Sequence, residues 1–127
     1  MARLFGIIAA LSGLLATALG AYGAHGLPGK VSPALLASFE TAVQYQFFHS
    51  LLLLLLALAL RLRHCPFLVA AGGCLVLGML GFSGSIYALV LLGDKFFGPI
   101  TPMGGLMLMI GWLLLAVAAV KWEKIDE

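Results

Sequence analysis

The sequence predicts an all-α membrane protein, a bundle of four transmembrane helices with a short interfacial helix after the first span. Two observations support this prediction. Of the 127 residues, 63% are hydrophobic and 9% are charged, with a mean hydropathy of +1.15, whereas a soluble domain has about 45–50% apolar and about 25% charged residues. The apolar residues also form long segments without period-two alternation, which excludes transmembrane strands. Lipid is therefore the solvent for most of the chain.

Four segments are long enough to cross a bilayer, for which a helix needs about 20 apolar residues. They cover about residues 4–22, 44–61, 67–92 and 102–121 and form a single domain. The first segment also resembles a secretory signal peptide, with Arg3 as its charged start and Ala21–Ala24 as an A-x-A-like cleavage site. We favour a membrane span, because the apolar run is long for a signal peptide and small residues recur in it at helical spacing.

The connection after the first span carries a helix start signal. Ser32 is a typical N-cap and Pro33 fits the first helical position, and no helix breaker follows before Pro66. A helix is therefore expected to begin at Pro33 on the membrane surface, and either to run into the second span or to bend at the membrane boundary. Thr101 and Pro102 repeat the signal before the fourth span, so an internal duplication with two parallel halves is an open alternative.

Lysine and arginine predict the orientation, because cytoplasmic loops of membrane proteins are enriched in them. With four spans, both termini lie on the same side of the membrane. That side holds five basic residues and the other side holds two. The sequence therefore predicts that both termini, and the turn between the second and third spans, are cytoplasmic. The five are Arg3, Arg61, Arg63, Lys121 and Lys124, and the two are Lys30 and Lys95.

Small residues predict where helices pack. In lipid, helices associate through close contact of small side chains, since apolar burial gives no preference between a helix and a lipid tail. The candidate packing residues are Gly13, Ala16 and Gly20 in the first span, and Gly78 and Gly81 in the third. Their spacing predicts that the first and third spans pack closely, within one bundle or across an oligomer. The alternative is that glycine is simply common in membrane helices.

Polar residues within or next to the spans are candidates for a functional site. Tyr45 and His49 lie one turn apart on the second helix, as do Ser83 and Tyr87 on the third. The whole candidate set, a polar cluster or ligand-binding site, consists of His25, Glu40, Tyr45, Gln46, His49, Ser83, Ser85 and Tyr87.

Two roles are open for this set. In the first, the polar groups form hydrogen bonds between helices and hold the bundle together. In the second, His49, Glu40 and His25 line a polar path that binds a ligand or relays a proton. A carboxylate at mid-membrane costs about 2.5–3.5 kcal/mol. Glu40 precedes the apolar core of its span, so we expect its carboxylate at the solvated outer edge.

The sequence disfavours several other classes of function. A net charge of +2 with scattered basic residues is too small for a nucleic-acid partner. The histidines and Glu40 have no metal-ligand spacing, and no cofactor motif is present. Cys65 lies near a membrane edge and Cys74 several turns deep, so we expect no disulfide. The soluble segments are too small for a catalytic domain, and we expect a protein that is not an enzyme.

Five motifs, in this order, resemble the domain-of-unknown-function family 423. They are YGAHGL (Tyr22–Leu27), YQFFHS (Tyr45–Ser50), GFSGSIY (Gly81–Tyr87), GPITPMGG (Gly98–Gly105) and GW (Gly111–Trp112). This family consists of small bacterial inner-membrane proteins, similar to the eukaryotic transmembrane protein 256 type. The resemblance covers nearly the whole chain and implies a four-span protein of the bacterial inner membrane. It implies no activity, cofactor or binding residue.

The leading expectation is a structural or interaction role in the lipid bilayer, as a homo-oligomer or as an accessory subunit of another membrane protein. The alternative is a small oligomeric transporter or channel whose polar face surrounds His49. A transporter needs a continuous polar route, whereas a structural protein needs its polar groups bonded to one another.

A topology reporter fused after Glu127 tests the predicted orientation. We expect green fluorescent protein at this position to fluoresce, because it folds in the cytoplasm. Alkaline phosphatase at the same position is expected to stay inactive, because its disulfides form only in an oxidising compartment. The opposite pattern would contradict the orientation that the basic residues predict.

Overall fold

The computed structural model describes residues 1–126 and the side chains of residues 1–122, so the Lys124 side chain and Glu127 lie outside it. The described chain forms four helices and no strand. They are α1 (Ala2–His25), α2 (Pro33–Leu62), α3 (Pro66–Leu92) and α4 (Ile100–Asp126). All four are long and apolar enough to cross a membrane, because even 24 residues extend about 36 Å, more than the hydrocarbon thickness of about 30 Å. The predicted all-α, four-span architecture is confirmed.

Local signals set the helix ends. The Ser32 hydroxyl accepts a hydrogen bond from the Leu35 amide at 3.2 Å, with Pro33 in the first turn. Gly93 ends α3 in a left-handed conformation with φ of +68°, which glycine adopts without the steric cost that other residues incur.

The stretch that was expected to form a short interfacial helix is the first part of α2. This helix runs without interruption for 30 residues, because no glycine or proline occurs between Pro33 and Pro66 to end it. Of the two alternatives, the helix therefore continues directly into the second span. At about 45 Å it is longer than the hydrocarbon layer is thick.

Each helix packs mainly on its neighbour in the chain: α1 on α2, α2 on α3, and α3 on α4. Helices α2 and α3 bury more of their residues than α1 and α4 do, and form the centre of the bundle. At the loop end, where residues 26–32 and 93–99 connect the helices, Leu27 and Phe39 pack with Ile86 and Val90. At the opposite end, called the termini end here, a larger apolar cluster joins all four helices.

Backbone-to-backbone contact holds α4 against α3. A Cβ atom added to Gly104 would lie 2.2 Å from the Phe82 amide nitrogen and 2.5 Å from the Gly81 carbonyl carbon. On either side of this contact, Gly78 faces Leu108 and Gly111 faces Leu75. Only residues without a side chain allow two helices to approach so closely, which increases their van der Waals contact.

The prediction that the first and third spans pack closely is wrong within one chain, because Gly78 and Gly81 of α3 face α4 instead. Its alternative, packing of these spans across an oligomer, stays a prediction. On α1, Ala16 is buried and Gly20 faces Val43 of α2, while Gly13 has no atom of another residue near the position of a Cβ. The contact of α1 with α3 at the termini end is made by a large side chain, since the Phe5 ring lies against Gly72. A stripe of small residues permits close packing but does not specify which helix fills it.

Replacing Gly104 with alanine should destabilise the protein, because the new methyl group would collide with the α3 backbone. We expect a loss of about 2–3 kcal/mol in the free energy of unfolding, at the upper end of the range for overpacked sites. Unfolding in detergent, followed by helical circular dichroism, measures this loss. Gly105→Ala is the matched control, since its Cβ would lie 3.6 Å from the Phe82 ring and its stability should not fall. Equal stability of the two variants would contradict the close approach.

Candidate functional site

A buried amide joins three helices in the middle of the bundle. The Gln46 side chain of α2 is 6% exposed. Its Nε2 donates to the backbone carbonyl and to the hydroxyl of Ser12 on α1, both at 3.2 Å, and its Oε1 accepts from the Tyr87 hydroxyl of α3 at 2.6 Å. This arrangement uses both amide protons and the carbonyl oxygen, so the amide is satisfied entirely by protein groups.

Two hydroxyl groups extend this network by one helical turn. Ser50 Oγ lies 2.7 Å from Ser12 Oγ and 2.6 Å from the Gln46 carbonyl oxygen. Met79 Sδ accepts weakly from both serines, at 3.9 Å from Ser12 and 3.7 Å from Ser50. We call Ser12, Gln46, Ser50 and Tyr87 the amide network. It links α1, α2 and α3, and none of its four residues belongs to α4.

His49 belongs to a second group that faces α4. Its Nε2 accepts a hydrogen bond of 3.1 Å from the Trp112 indole Nε1, and its Nδ1 lies 2.6 Å from the Tyr45 carbonyl oxygen. An indole nitrogen can only donate, so Nε2 carries no proton and Nδ1 donates to the carbonyl. The ring is therefore neutral and both of its nitrogen atoms are engaged.

The remaining candidates of α2 and α3 form separate contacts. The half-exposed Tyr45 ring stacks on Phe82 at a centroid distance of 4.7 Å. Ser83 donates to the Ala42 carbonyl of α2 at 2.7 Å. Ser85 bonds to the Thr101 hydroxyl, and so joins α3 to the start of α4.

His25 and Glu40 lie apart from these groups. His25 is the last residue of α1 and is exposed. Glu40 is also exposed, beside a small cleft lined by Gly20, Gly23 and Val43. Since Gly23 packs against the neighbouring Phe39, Glu40 is level with the end of the first apolar run. The structure thus does not bring His25, Glu40 and His49 together.

A groove runs along the amide network on the lipid-facing side, between α1 and α3. Its volume is about 490 Å³. Apolar side chains such as Leu11, Leu15 and Leu80 line most of it, and its polar lining residues are Ser12, Gln46, Ser83 and Tyr87. Ser12, Gln46 and Tyr87 are hydrogen-bonded through Gln46, and Ser83 donates to the Ala42 carbonyl, so the groove presents mainly hydrocarbon.

The polar contacts that these residues make are hydrogen bonds. Within the described side chains, no buried polar atom lacks a partner, and no three acidic, histidine or cysteine side chains meet as metal ligands. Cys65 and Cys74 are free thiols. Among the described residues, no side-chain hydrogen bond joins the amide network, the His49 group and the Ser85–Thr101 pair to one another.

The sequence reasoning missed two bonding partners. Ser12 is not among the predicted site residues, although Ser12 and Thr17 are the only serine and threonine in the first apolar run. Trp112 was noted only as part of a motif, although an indole N–H inside a span requires an acceptor. A search for isolated donors in otherwise apolar spans would have found both.

A double-mutant cycle on Gln46 and Tyr87 tests the amide network. Gln46→Leu removes the bonds to both neighbouring helices, and we expect it to lower the free energy of unfolding by roughly 1–3 kcal/mol; Tyr87→Phe, which removes one bond, should cost about 1 kcal/mol. The double variant should lose less than the sum, because the two residues share a bond. Gln44→Leu is the control, since Gln44 is exposed on the same helix. Strict additivity would contradict the shared bond.

Comparison with known proteins places the chain in a family. Residues 19–105 match the family described as "Protein of unknown function (DUF423)". The UPF0382 membrane protein YwdK of Bacillus subtilis (strain 168) is 41% identical over 121 residues, which are 94% of this chain and 98% of that protein. The UPF0382 inner membrane protein YgdD of Escherichia coli (strain K12) is 36% identical over 118 residues, which are 93% of this chain and 90% of that protein.

A third relative, a UPF0382 membrane protein of Staphylococcus aureus, is 41% identical over 120 residues, which are 94% of this chain and 98% of that protein. No solved structure matches the chain. The family match and the lengths covered agree with the four-span fold, and the resemblance predicted from the motifs is confirmed. The chain is a multi-pass membrane protein and belongs to the DUF423 family.

Proposed function

We propose that this protein is a non-enzymatic structural or interaction component of the bacterial inner membrane. The observation that supports this role is the bonding of His49, whose two ring nitrogens are both engaged inside the bundle. Of the candidate residues, His49 is the one that a proton-linked transporter would use most readily. Its bonding instead favours a role in holding α2 to α4.

Proton relay through His49 would disrupt the contacts around it. To accept a proton, Nε2 would have to release the Trp112 N–H, which would then lack an acceptor in an apolar surrounding. The Nδ1 proton points at the Tyr45 carbonyl oxygen, which accepts a hydrogen bond but has no proton of its own to pass on. Neither ring nitrogen is hydrogen-bonded to another titratable side chain, and Glu40 and His25 lie exposed toward the loop end.

The amide network supports the same role. The hydrophobic effect does not hold helices together in lipid, so their association depends on packing and on interhelical hydrogen bonds. Each such bond contributes roughly 0.6–2 kcal/mol to the stability of the bundle. Gln46 connects α1 and α3 through α2. These polar residues are thus accounted for by stability, without a transported ligand.

In this proposal the protein contacts the lipid bilayer, and it also binds either a second copy of itself or another membrane protein. The proposed orientation has both termini in the cytoplasm. It is supported by the excess of basic residues at the termini end over the loop end. Light scattering of the protein purified in detergent would give the molar mass of the complex and thus the number of chains in it.

Proteoliposomes distinguish the structural role from transport. We expect the protein to leave the proton permeability of liposomes unchanged under an imposed pH gradient, as followed by an internal pH-sensitive dye. His49→Leu should likewise conduct no protons but should unfold more easily, by about 1–2 kcal/mol, because the Trp112 N–H loses its acceptor. Adding Trp112→Phe removes that unpaired donor and should cost less than the two single changes together. A proton flux in the unmodified protein that His49→Leu abolishes would overturn the proposal.

A further inference from the structure

Two arginines lie at the mouth of a lipid-facing cleft at the termini end. The cleft has a volume of about 370 Å³ and lies between the beginning of α1 and the end of α2. Arg3 and Arg61 line it together with the small residues Gly6, Ala10 and Ala57. At this position Gly6 lies close to α2, since a Cβ atom added to it would be 3.9 Å from the Ala57 Cβ. Positive charge and apolar surface therefore share one cleft.

The two guanidinium groups are available to a ligand. Both arginines are exposed, and neither forms an ion pair with any side chain in the described part of the protein. Two other basic residues at this end, among those whose side chains the structure describes, have aromatic contacts: Arg63 lies over the Trp122 ring, and Lys121 lies over the Phe67 ring. A planar guanidinium binds phosphate oxygens through two parallel hydrogen bonds, so a pair of them favours a phosphate group.

The position of the arginines indicates that the phosphate they would bind belongs to a lipid. Arg3 precedes the first apolar run and Arg61 follows the second, which places both heads at the level of lipid headgroups. From there the cleft extends to Ala10 on α1 and to Leu54 on α2, seven residues deeper on each helix, or about 10 Å. A ligand that fills the cleft must be anionic at one end and hydrocarbon at the other.

We propose that this cleft binds an anionic phospholipid from the leaflet at the termini end. Arg3 and Arg61 hold the headgroup phosphate, and an acyl chain lies along Gly6, Ala10 and Ala57. A free phosphate ion would occupy only the mouth. This site does not depend on the structural role proposed above.

Native mass spectrometry of the full-length protein tests this site. The protein is extracted in a mild detergent with equal amounts of phosphatidylglycerol and phosphatidylcholine, and the lipid that remains bound is identified by mass. We expect one phosphatidylglycerol to be retained preferentially. Arg3→Gln and Arg61→Gln should each weaken this retention roughly fivefold, and the double variant should abolish the preference. Lys121→Gln removes the same charge at the same end but outside the cleft, and should change nothing.

A second pair of measurements separates the lipid from charge alone. Gly6→Leu keeps both arginines and adds a large side chain where Gly6 lines the cleft, and its Cβ has only an ordinary contact with Ala57. Circular dichroism confirms that the variant is folded, and it should lose phosphatidylglycerol. Inorganic phosphate in large excess should not displace the lipid. Any of four results would overturn the proposal. They are equal retention of the two lipids, unchanged phosphatidylglycerol retention in the Arg3→Gln/Arg61→Gln variant, unchanged retention in the Gly6→Leu variant, and displacement of the lipid by phosphate.

Discussion

The backbone contact between Gly81 of α3 and Gly104 of α4 sets the position of everything that α4 carries. With no side chain between them, the two helices meet at one level, and Gly78 with Leu108 and Gly111 with Leu75 continue the same register. Trp112 follows Gly111 directly, and its indole thereby reaches His49 of α2. A shift of α4 by one turn, about 5.4 Å, would break all of these contacts together.

Helix α1 is attached in a different way. It is the least buried helix of the bundle. In lipid, the hydrophobic effect does not drive its association with the other helices. Three of its glycines, Gly6, Gly20 and Gly23, lie on α2. The Phe5 ring lies against α3, and Ser12 bonds to Gln46. The amide network is therefore one of the few directional ties between α1 and the other helices, which explains why a long polar side chain occurs in the middle of an apolar span.

The two ends of the bundle differ in what they offer to the membrane. The loop end is closed by apolar packing around Leu27 and Phe39. The termini end carries basic side chains at the surface, two of which line a cleft between α1 and α2. The connections between helices are short, so the protein meets its surroundings mainly through its lipid-facing sides and these two ends. A role as a membrane component, in contact with particular lipids or other membrane proteins, is consistent with such a surface.

The sequence by itself determined the architecture and little of the site. Four apolar runs, the Ser32–Pro33 start and the glycine after Leu92 are local signals, and the helices follow them because helix formation and membrane insertion depend on short stretches of chain. Only the tertiary structure decided that α3 packs Gly78 and Gly81 on α4, that Gln46 bonds to Ser12 and Tyr87, and that His25 lies apart from His49. Spacing along one helix shows which side chains share a face, but the partner of that face depends on how separate helices pack, and lipid gives apolar faces no preference among them.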